Sequence, residues 1–270
     1  MAASAARQNN GGDDDVTDLL EGLSVLVTGA GGGIGSATAL VLARHGARLV
    51  LTDINEESGE AATRAVNSAG GEAYFVPADL ASESAIAGLV RATVDRLGRI
   101  DGALNNAAVE QHNKPLDMLS TDEWEKVIRI NLSAVFHCMK YEIKAMLGKG
   151  GGAIVNTCSS LGQVGLAGAA DYSAAKHGVL GLTRSAGADY GTRGIRVNAI
   201  LPGITNTPMI KRLSENPQLS EVFGRLRMRH SMGRFGEPSE IGESVAWLLS
   251  RHASFVNGAA IAVDGGYLSI

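Results

Sequence analysis

Thr28-Gly29-Ala30-Gly31-Gly32-Gly33-Ile34-Gly35 joins an apolar run, Ser24–Thr28, to a stretch of helical periodicity that begins near Ile34. The five glycines between positions 29 and 35 leave a main chain with almost no side-chain bulk. Such a turn lets backbone N–H groups approach a pyrophosphate, whose charge meets the N-terminal end of the helix. A turn that is merely tight would use the same residues, so the next apolar run decides between the two. Asp53 stands at the end of that run, Arg48–Thr52, eighteen residues past Gly35. A carboxylate there can accept hydrogen bonds from an adenosine ribose, the alternative being a helix cap ahead of Asn55. The same charge repels a 2′-phosphate, and no Arg or Lys stands in the turn or just after Asp53. The cofactor expected is therefore NAD rather than NADP.

Outward from this turn the same alternation repeats. Apolar runs suited to strands cover Ser24–Thr28, Arg48–Thr52, Ala73–Pro77, Gly102–Asn105, Ala153–Thr157, Arg196–Ile200 and Ala260–Val263. Helical patterns lie between them, near Ile34–His45, Glu56–Ala69, Glu83–Leu97, Asn131–Leu147, Tyr172–Gly191 and Ser239–Ser250. Runs that are apolar on nearly every position fit a sheet covered on both faces. The fold class expected is α/β, a single doubly wound, Rossmann-type parallel sheet of seven strands flanked by helices. The domain would span residues 23–270 behind a flexible tail, 1–22, with one long insertion near 204–235.

Tyr172 and Lys176 stand four residues apart in a helical pattern, so a phenol and an ammonium share one helix face. A free phenol titrates near ~10 and is a poor base at neutral pH. Bringing it to about 7 takes roughly 4 kcal/mol, which a nearby ammonium and a cationic cofactor ring could supply. The two cysteines, Cys138 and Cys158, have no metal-ligand spacing, and Cys158 at a strand end suits packing better than nucleophilic attack.

The order of these elements resembles the short-chain dehydrogenase/reductases. The resemblance runs from about Leu23 to Gly266 through Thr28–Gly35, Asp79-Leu80, Asn105-Asn106-Ala107, Asn131, Ser159, Tyr172 with Lys176, Pro202-Gly203 and Asp264-Gly265-Gly266. It implies a catalytic tetrad. Tyr172 would exchange a proton with the substrate oxygen and Lys176 would hold the phenolate and the nicotinamide ribose. Ser159 would orient the substrate, and Asn131 would support Lys176 through a water, its bland alternative being a helix cap. Family spacing selects Ser159 over Ser160, thirteen residues before the tyrosine and three after Asn156. The cofactor residues implied are Gly29, Gly33, Ile34, Gly35, Asp53, Asp79, Leu80, Asn106, Ala107, Tyr172, Lys176, Pro202, Gly203 and Thr207. A homotetramer is implied too, using the helices of Asn131 and Tyr172 at one interface and the last helix and strand at another. One departure is Ala108, where the family's Asn-Asn-Ala motif ordinarily continues with Gly.

The function expected is NAD-dependent interconversion of a secondary alcohol and a ketone. The alternatives are a 3-oxoacyl-thioester reductase using NADPH, or a catalytically silent redox sensor. With 45% apolar residues and a formal net charge of −4, the chain offers no electrostatic footprint for nucleic acid and no run long enough to span a membrane. A cytoplasmic protein acting on a small molecule, without a metal, is expected. The insertion is the exception in charge: Lys211, Arg212, Arg225, Arg227, Arg229 and Arg234 face only Glu215 and Glu221. Pro208 and Pro217 suggest short helical pieces there, a mobile cover that recruits an anionic group or, more blandly, a solvated helical face.

Overall fold

The structure, a computed structural model, describes residues 18–215 and 220–269. Seven parallel strands form one sheet in the order β3-β2-β1-β4-β5-β6-β7. They are β1 Ser24–Thr28, β2 Arg48–Thr52, β3 Glu72–Phe75, β4 Gly102–Asn105, β5 Gly152–Thr157, β6 Ile195–Pro202 and β7 Ala260–Val263. Successive side chains of a strand point to opposite faces, and the core divides accordingly. Val25, Val27, Leu49 and Leu51 pack with α1 (Gly33–Arg44), α2 (Glu56–Ser68) and α9 (Pro238–Leu249). Leu26 and Val50 pack on the other side with α3 (Glu83–Leu97), α5 (Ala134–Leu147) and α6 (Ala170–Tyr190). The strand order reverses between β1 and β4, which opens a crevice beyond the carboxyl ends of the strands.

Three expectations need correction. Leu20, assigned to the tail, is fully buried and its N–H donates to His45, so the packed chain starts before residue 23. Residues 1–17 of that tail lie outside the described residues, as does Pro217. A helix absent from the expected set, α4 (Thr121–Ile128), precedes Asn131. Its signal was present in Ser120 and Glu123, which form a reciprocal capping box. From α4 the chain runs through a π-helical turn, Arg129–Ser133, straight into α5, so Asn131 is inside a helix and caps nothing.

Beneath the end of β4 lies a buried polar network. Asn105 donates from Nδ2 to Glu142 Oε2 at 3.1 Å and to Asn156 Oδ1 at 3.0 Å, and Asn156 donates to Thr183 at 3.0 Å. Glu142 is fully buried, and burial pushes its carboxyl up to about 7. Among the described residues no helix is long and apolar enough to cross a membrane.

Candidate active site

The glycine turn is held by β4 and the residues after it. Thr28 Oγ1 accepts from Asn106 N–H at 3.0 Å and Ala107 N–H at 3.2 Å, and Asn106 Nδ2 donates to Gly29 O at 3.1 Å. Gly29 has φ +65°, and a Cβ there would stand 2.7 Å from Ala107 Cα. A Cβ on Gly35 would meet Gly29 O at 2.1 Å, so this glycine sits behind the cleft wall and lets helix and turn touch. Asp53 lies across the turn, its Oδ2 accepting from Gly31 N–H at 2.9 Å and its Oδ1 from Asn55 N–H at 3.0 Å. It is not the cap of α2, because that role belongs to Asn55, which accepts from Ser58 N–H. The turn and the α1 N-terminus therefore make a cradle that added side-chain atoms would fill, as a dinucleotide pyrophosphate requires.

A cleft of about 800 Å³ begins at this cradle, near the upper end of the roughly 300–1,000 Å³ range for ligand sites. Of the expected cofactor residues, Gly29, Gly33, Ile34, Asp53, Asp79, Leu80, Asn106, Ala107, Tyr172, Pro202, Gly203 and Thr207 line it. Ser159 lines it as well, while Gly35, Asn131 and Lys176 are buried behind its wall.

At the middle of the cleft Ser159 and Tyr172 both line the wall, and Ser159 Oγ accepts from Leu161 N–H at 3.2 Å. Ser160 is committed elsewhere, donating to Pro202 O at 3.2 Å. Lys176 Nζ sits 5.4 Å from the centre of the Tyr172 ring and donates to Thr157 O at 2.8 Å. Asn131 does not reach Lys176 with its side chain. Its Oδ1 accepts from Val109 N–H and its Nδ2 donates to Val109 O, each at 2.8 Å, so the amide pairs with a peptide as a strand would. The π-helical turn displaces one residue from the ordinary ladder and aims this amide inward.

The protein's own groups raise the phenol, and the expected lowering toward ~7 also calls on the cationic cofactor ring. Burial pushes Tyr172 up to about 12, with the Cys158 and Glu110 charges adding to the rise and the nearby Ser159 hydroxyl opposing it. Burial also draws Lys176 down to about 8. At this depth the cost of placing charge in a low dielectric dominates. Cys158 is buried, its thiol is raised by that burial, and it donates to Lys176 O at 3.2 Å, which is packing chemistry.

The far end of the cleft uses residues that no motif marked. After β4, Glu110, Gln111 and Asn113 reach it, and Leu161 and Leu166 close one side. The insertion, with α7 (Pro208–Ser214) and α8 (Ser220–Met228), contributes Ile210, Phe223, Leu226 and Arg229. The short helical pieces expected there are present. The basic excess is partly spent within the chain, since Arg234 pairs with Glu240 at 2.7 Å and Lys211 approaches Glu237 at 4.0 Å. Arg229 lies 4.4 Å over the Tyr267 ring and is the only insertion cation on the cleft wall among the described residues. Of these residues only Asn113 stands out locally, as the sole described non-glycine with positive φ, +55°.

Comparison with known proteins extends this reading. Residues 29–268 match a family model described as enoyl-(acyl carrier protein) reductase. A 2,5-dichloro-2,5-cyclohexadiene-1,4-diol dehydrogenase of Sphingobium indicum is 45% identical over 93% of this chain and 99% of its own. A cyclohexanol dehydrogenase of Acinetobacter is 41% identical over 90% of this chain and 94% of its own. The crystal structure of levodione reductase superposes with a TM-score of 0.89 at 39% identity, covering 93% of this chain and 99% of that one. Similar structures hold either dinucleotide. Carveol dehydrogenase from Mycobacterium avium is in complex with NAD (TM-score 0.88, 29% identity, 94% and 100% covered). A protein from Beutenbergia cavernae assigned as an NAD(P)-dependent gluconate 5-dehydrogenase carries NADP at low occupancy (TM-score 0.87, 33% identity, 94% and 100% covered). Identity of this degree over nearly the whole of both chains leaves one conclusion: the chain belongs to the short-chain dehydrogenase/reductase family, as an oxidoreductase of alcohol and carbonyl groups that works with a nicotinamide cofactor.

Proposed function

We propose that this protein is an NAD-dependent dehydrogenase that interconverts a secondary alcohol on an alicyclic ring with its ketone. The observation that carries the reading is one cleft with Asp53 bonded across the glycine turn at one end and a Ser159–Tyr172 hydroxyl pair further in. The apolar wall beyond that pair, from Leu161, Leu166, Ile210, Phe223 and Leu226, suits a ring without charge. The names of the diol and cyclohexanol dehydrogenases agree with such a ring.

Each residue has a task in this reading. Ser159 donates a hydrogen bond to the substrate oxygen and fixes it within reach of Tyr172. Tyr172 gives its proton to that oxygen as the carbonyl is reduced and takes it back as the alcohol is oxidised. With its phenol raised to about 12, Tyr172 holds the proton at neutral pH and is poised to donate. Lys176, at about 8, is mostly ammonium at pH 7 and steadies charge that develops on the phenol. Gly29, Gly33, Ile34 and the α1 N-terminus would hold the pyrophosphate, with Gly35 letting α1 close on the turn from behind, and Asp53 would hold the adenosine ribose. Asp79, Leu80, Asn106, Ala107, Pro202, Gly203 and Thr207 would hold the rest, with Lys176 on the nicotinamide ribose. When bound, the nicotinamide gives or receives the hydride, and its oxidised ring adds the positive charge that favours the phenolate. Asn131 would assist Lys176 through a water while its side chain secures Val109.

Cofactor choice follows from charge. Asp53 against a 2′-phosphate gives a repulsion of roughly 4 kcal/mol per charge pair at contact, and each ~1.4 kcal/mol is tenfold. The test follows absorbance of the reduced cofactor with cyclohexanol and a panel of other alcohols. NAD should exceed NADP at least about a hundredfold in kcat/KM. Asp53→Ala should narrow that gap mainly by weakening NAD. Equal use of both cofactors would overturn the NAD assignment, and NADH binding without turnover of any alcohol would return the chain to the sensor reading.

The reading includes a cytoplasmic homotetramer. Both cysteines are free and buried, as in a reducing compartment. Trp124 and Phe136 on α4 and α5, and Trp247 and Phe255 on or after α9, expose large apolar surface on the two faces such an assembly would use. Light scattering should give four times the chain mass, and a monomer at every concentration would refute the assembly.

A further inference from the structure

The wall of the cleft that faces the substrate is a short loop, residues 109–114, and it is held by side chains far away in sequence. Its first residue, Val109, is clamped by the Asn131 amide. Its last, Lys114, pairs with Glu123 in α4. Between them His112 reaches Asp171, the residue that precedes Tyr172. Asp171 Oδ2 accepts from His112 Nδ1 at 2.9 Å and from His112 N–H at 3.3 Å. Asp171 Oδ1 accepts from Tyr172 N–H at 2.8 Å. The carboxylate side chain is 1% exposed and the imidazole 23%, so this pair is largely shielded from water. A carboxylate oxygen can only accept, so Nδ1 of His112 carries a proton whether the ring is neutral or cationic.

The geometry of the loop shows what the pair accomplishes. Glu110, Gln111 and Asn113 line the cleft while His112 and Lys114 are turned to their anchors. The chain passes through left-handed backbone at Asn113, and a Cβ on the neighbouring Gly168 would stand 3.3 Å from the Asn113 carbonyl carbon. Held only at its two ends, a loop of this length would have many ways to present three polar side chains. The tie at His112 removes that freedom, and it does so against the same carboxylate that holds the backbone of Tyr172.

We propose that His112 and Asp171 form a positioning latch that fixes the substrate-facing wall relative to the Tyr172 hydroxyl. The pair touches no reacting atom; it sets where Glu110, Gln111 and Asn113 meet a substrate bound at Tyr172. The kinetic half of the test rests on the alicyclic-alcohol reading, so a second half is independent of any substrate.

Amide hydrogen exchange on the full chain, with and without NAD, supplies that second half. His112→Ala should speed exchange across 109–114 by about tenfold, the effect of losing one hydrogen bond to a charged group. His112→Asn, whose Nδ2 can stand where Nδ1 stood, should remain within about threefold of the parent. With cyclohexanol as the probe, His112→Ala should raise KM about tenfold, keep kcat within about threefold and leave the KM for NAD unchanged, and His112→Asn should restore the KM. A merely structural contact would not divide KM from kcat in this way. Unchanged exchange in His112→Ala overturns the latch, as does a fall in kcat with KM constant, or a KM defect that His112→Asn shares. If the parent enzyme leaves cyclohexanol untouched, the alicyclic reading fails, and the exchange measurement alone decides for or against the latch.

Discussion

The nucleotide half of the cleft is built of main chain, and the substrate half of side chains. At Gly29, Gly33 and Gly35 an added methyl would come within 3 Å of neighbouring atoms, and the contacts are to Ala107, Thr207 and the turn itself. The loop 109–114 is instead suspended from amide and carboxylate groups of α4, α6 and the π-helical turn. Backbone cradles tolerate almost no substitution because sterics leave no slack. Side-chain ties can be exchanged one at a time, which is how one fold accepts different substrates around an unchanging cofactor site.

The sharpest way to break this contrast is at the point where the halves meet. Tyr172→Phe keeps the ring and removes the proton, so kcat should fall at least about a hundredfold while NADH affinity stays within about threefold. Retention of more than about a tenth of the activity would remove Tyr172 from the acid/base role. Stopped-flow turnover and NADH fluorescence titration give the two numbers.

Glu142 tests the foundation that both halves share. Its folded-state carboxyl lies at about 7, above the ~4.3 of an unfolded chain. Between those values the folded protein holds a proton that the unfolded chain has released, so stability falls as pH rises through this window and stays lower above it. Glu142→Gln abolishes that loss and offers a donor to the unpaired Asn105 Oδ1. Its melting temperature relative to the parent should rise from pH 5 to pH 8, with a stability difference on the order of 2–3 kcal/mol at the alkaline end. A difference independent of pH would mean that the carboxyl is not held protonated.

Gly35→Ala probes the cradle alone. With Gly29 O 2.1 Å from the new methyl, α1 must back away from the turn, and NAD should bind about tenfold more weakly, at a stability cost of about 1–3 kcal/mol. Isothermal titration and thermal melting measure both, and undiminished affinity would show that the glycine is dispensable. The smallest effect belongs to the insertion. Arg225 and Arg227 do not line the cleft, so their joint replacement by Ala should alter substrate KM by less than about twofold. Adding Arg229→Ala should raise KM and flatten its salt dependence only if the substrate carries an anionic group.

Much of the fold and the site was legible in the sequence, for identifiable reasons. The glycine turn, Asp53, and the Tyr172 and Lys176 spacing are local patterns, and each arrived where the chain order put it. α4 escaped although Ser120 and Glu123 signalled its start, because it is only eight residues long and buries only Val127. The opposing effect of burial, which raises Tyr172 and lowers Lys176, was not legible, since sequence reveals a neighbouring ammonium but not the depth at which both are buried.

The sequence by itself determined the parallel sheet, the glycine turn and the shared helix face of Tyr172 and Lys176, because apolar periodicity, glycine sterics and a four-residue helical spacing act over a few residues. Only the tertiary structure decided that Asn131 grips Val109, that Arg229 alone of the insertion's cations reaches the cleft among the described residues, and that His112 meets Asp171. The last two partners are 59 residues apart. Contacts of that kind depend on how the sheet and its helices bring distant chain together, and no local pattern of residues encodes them.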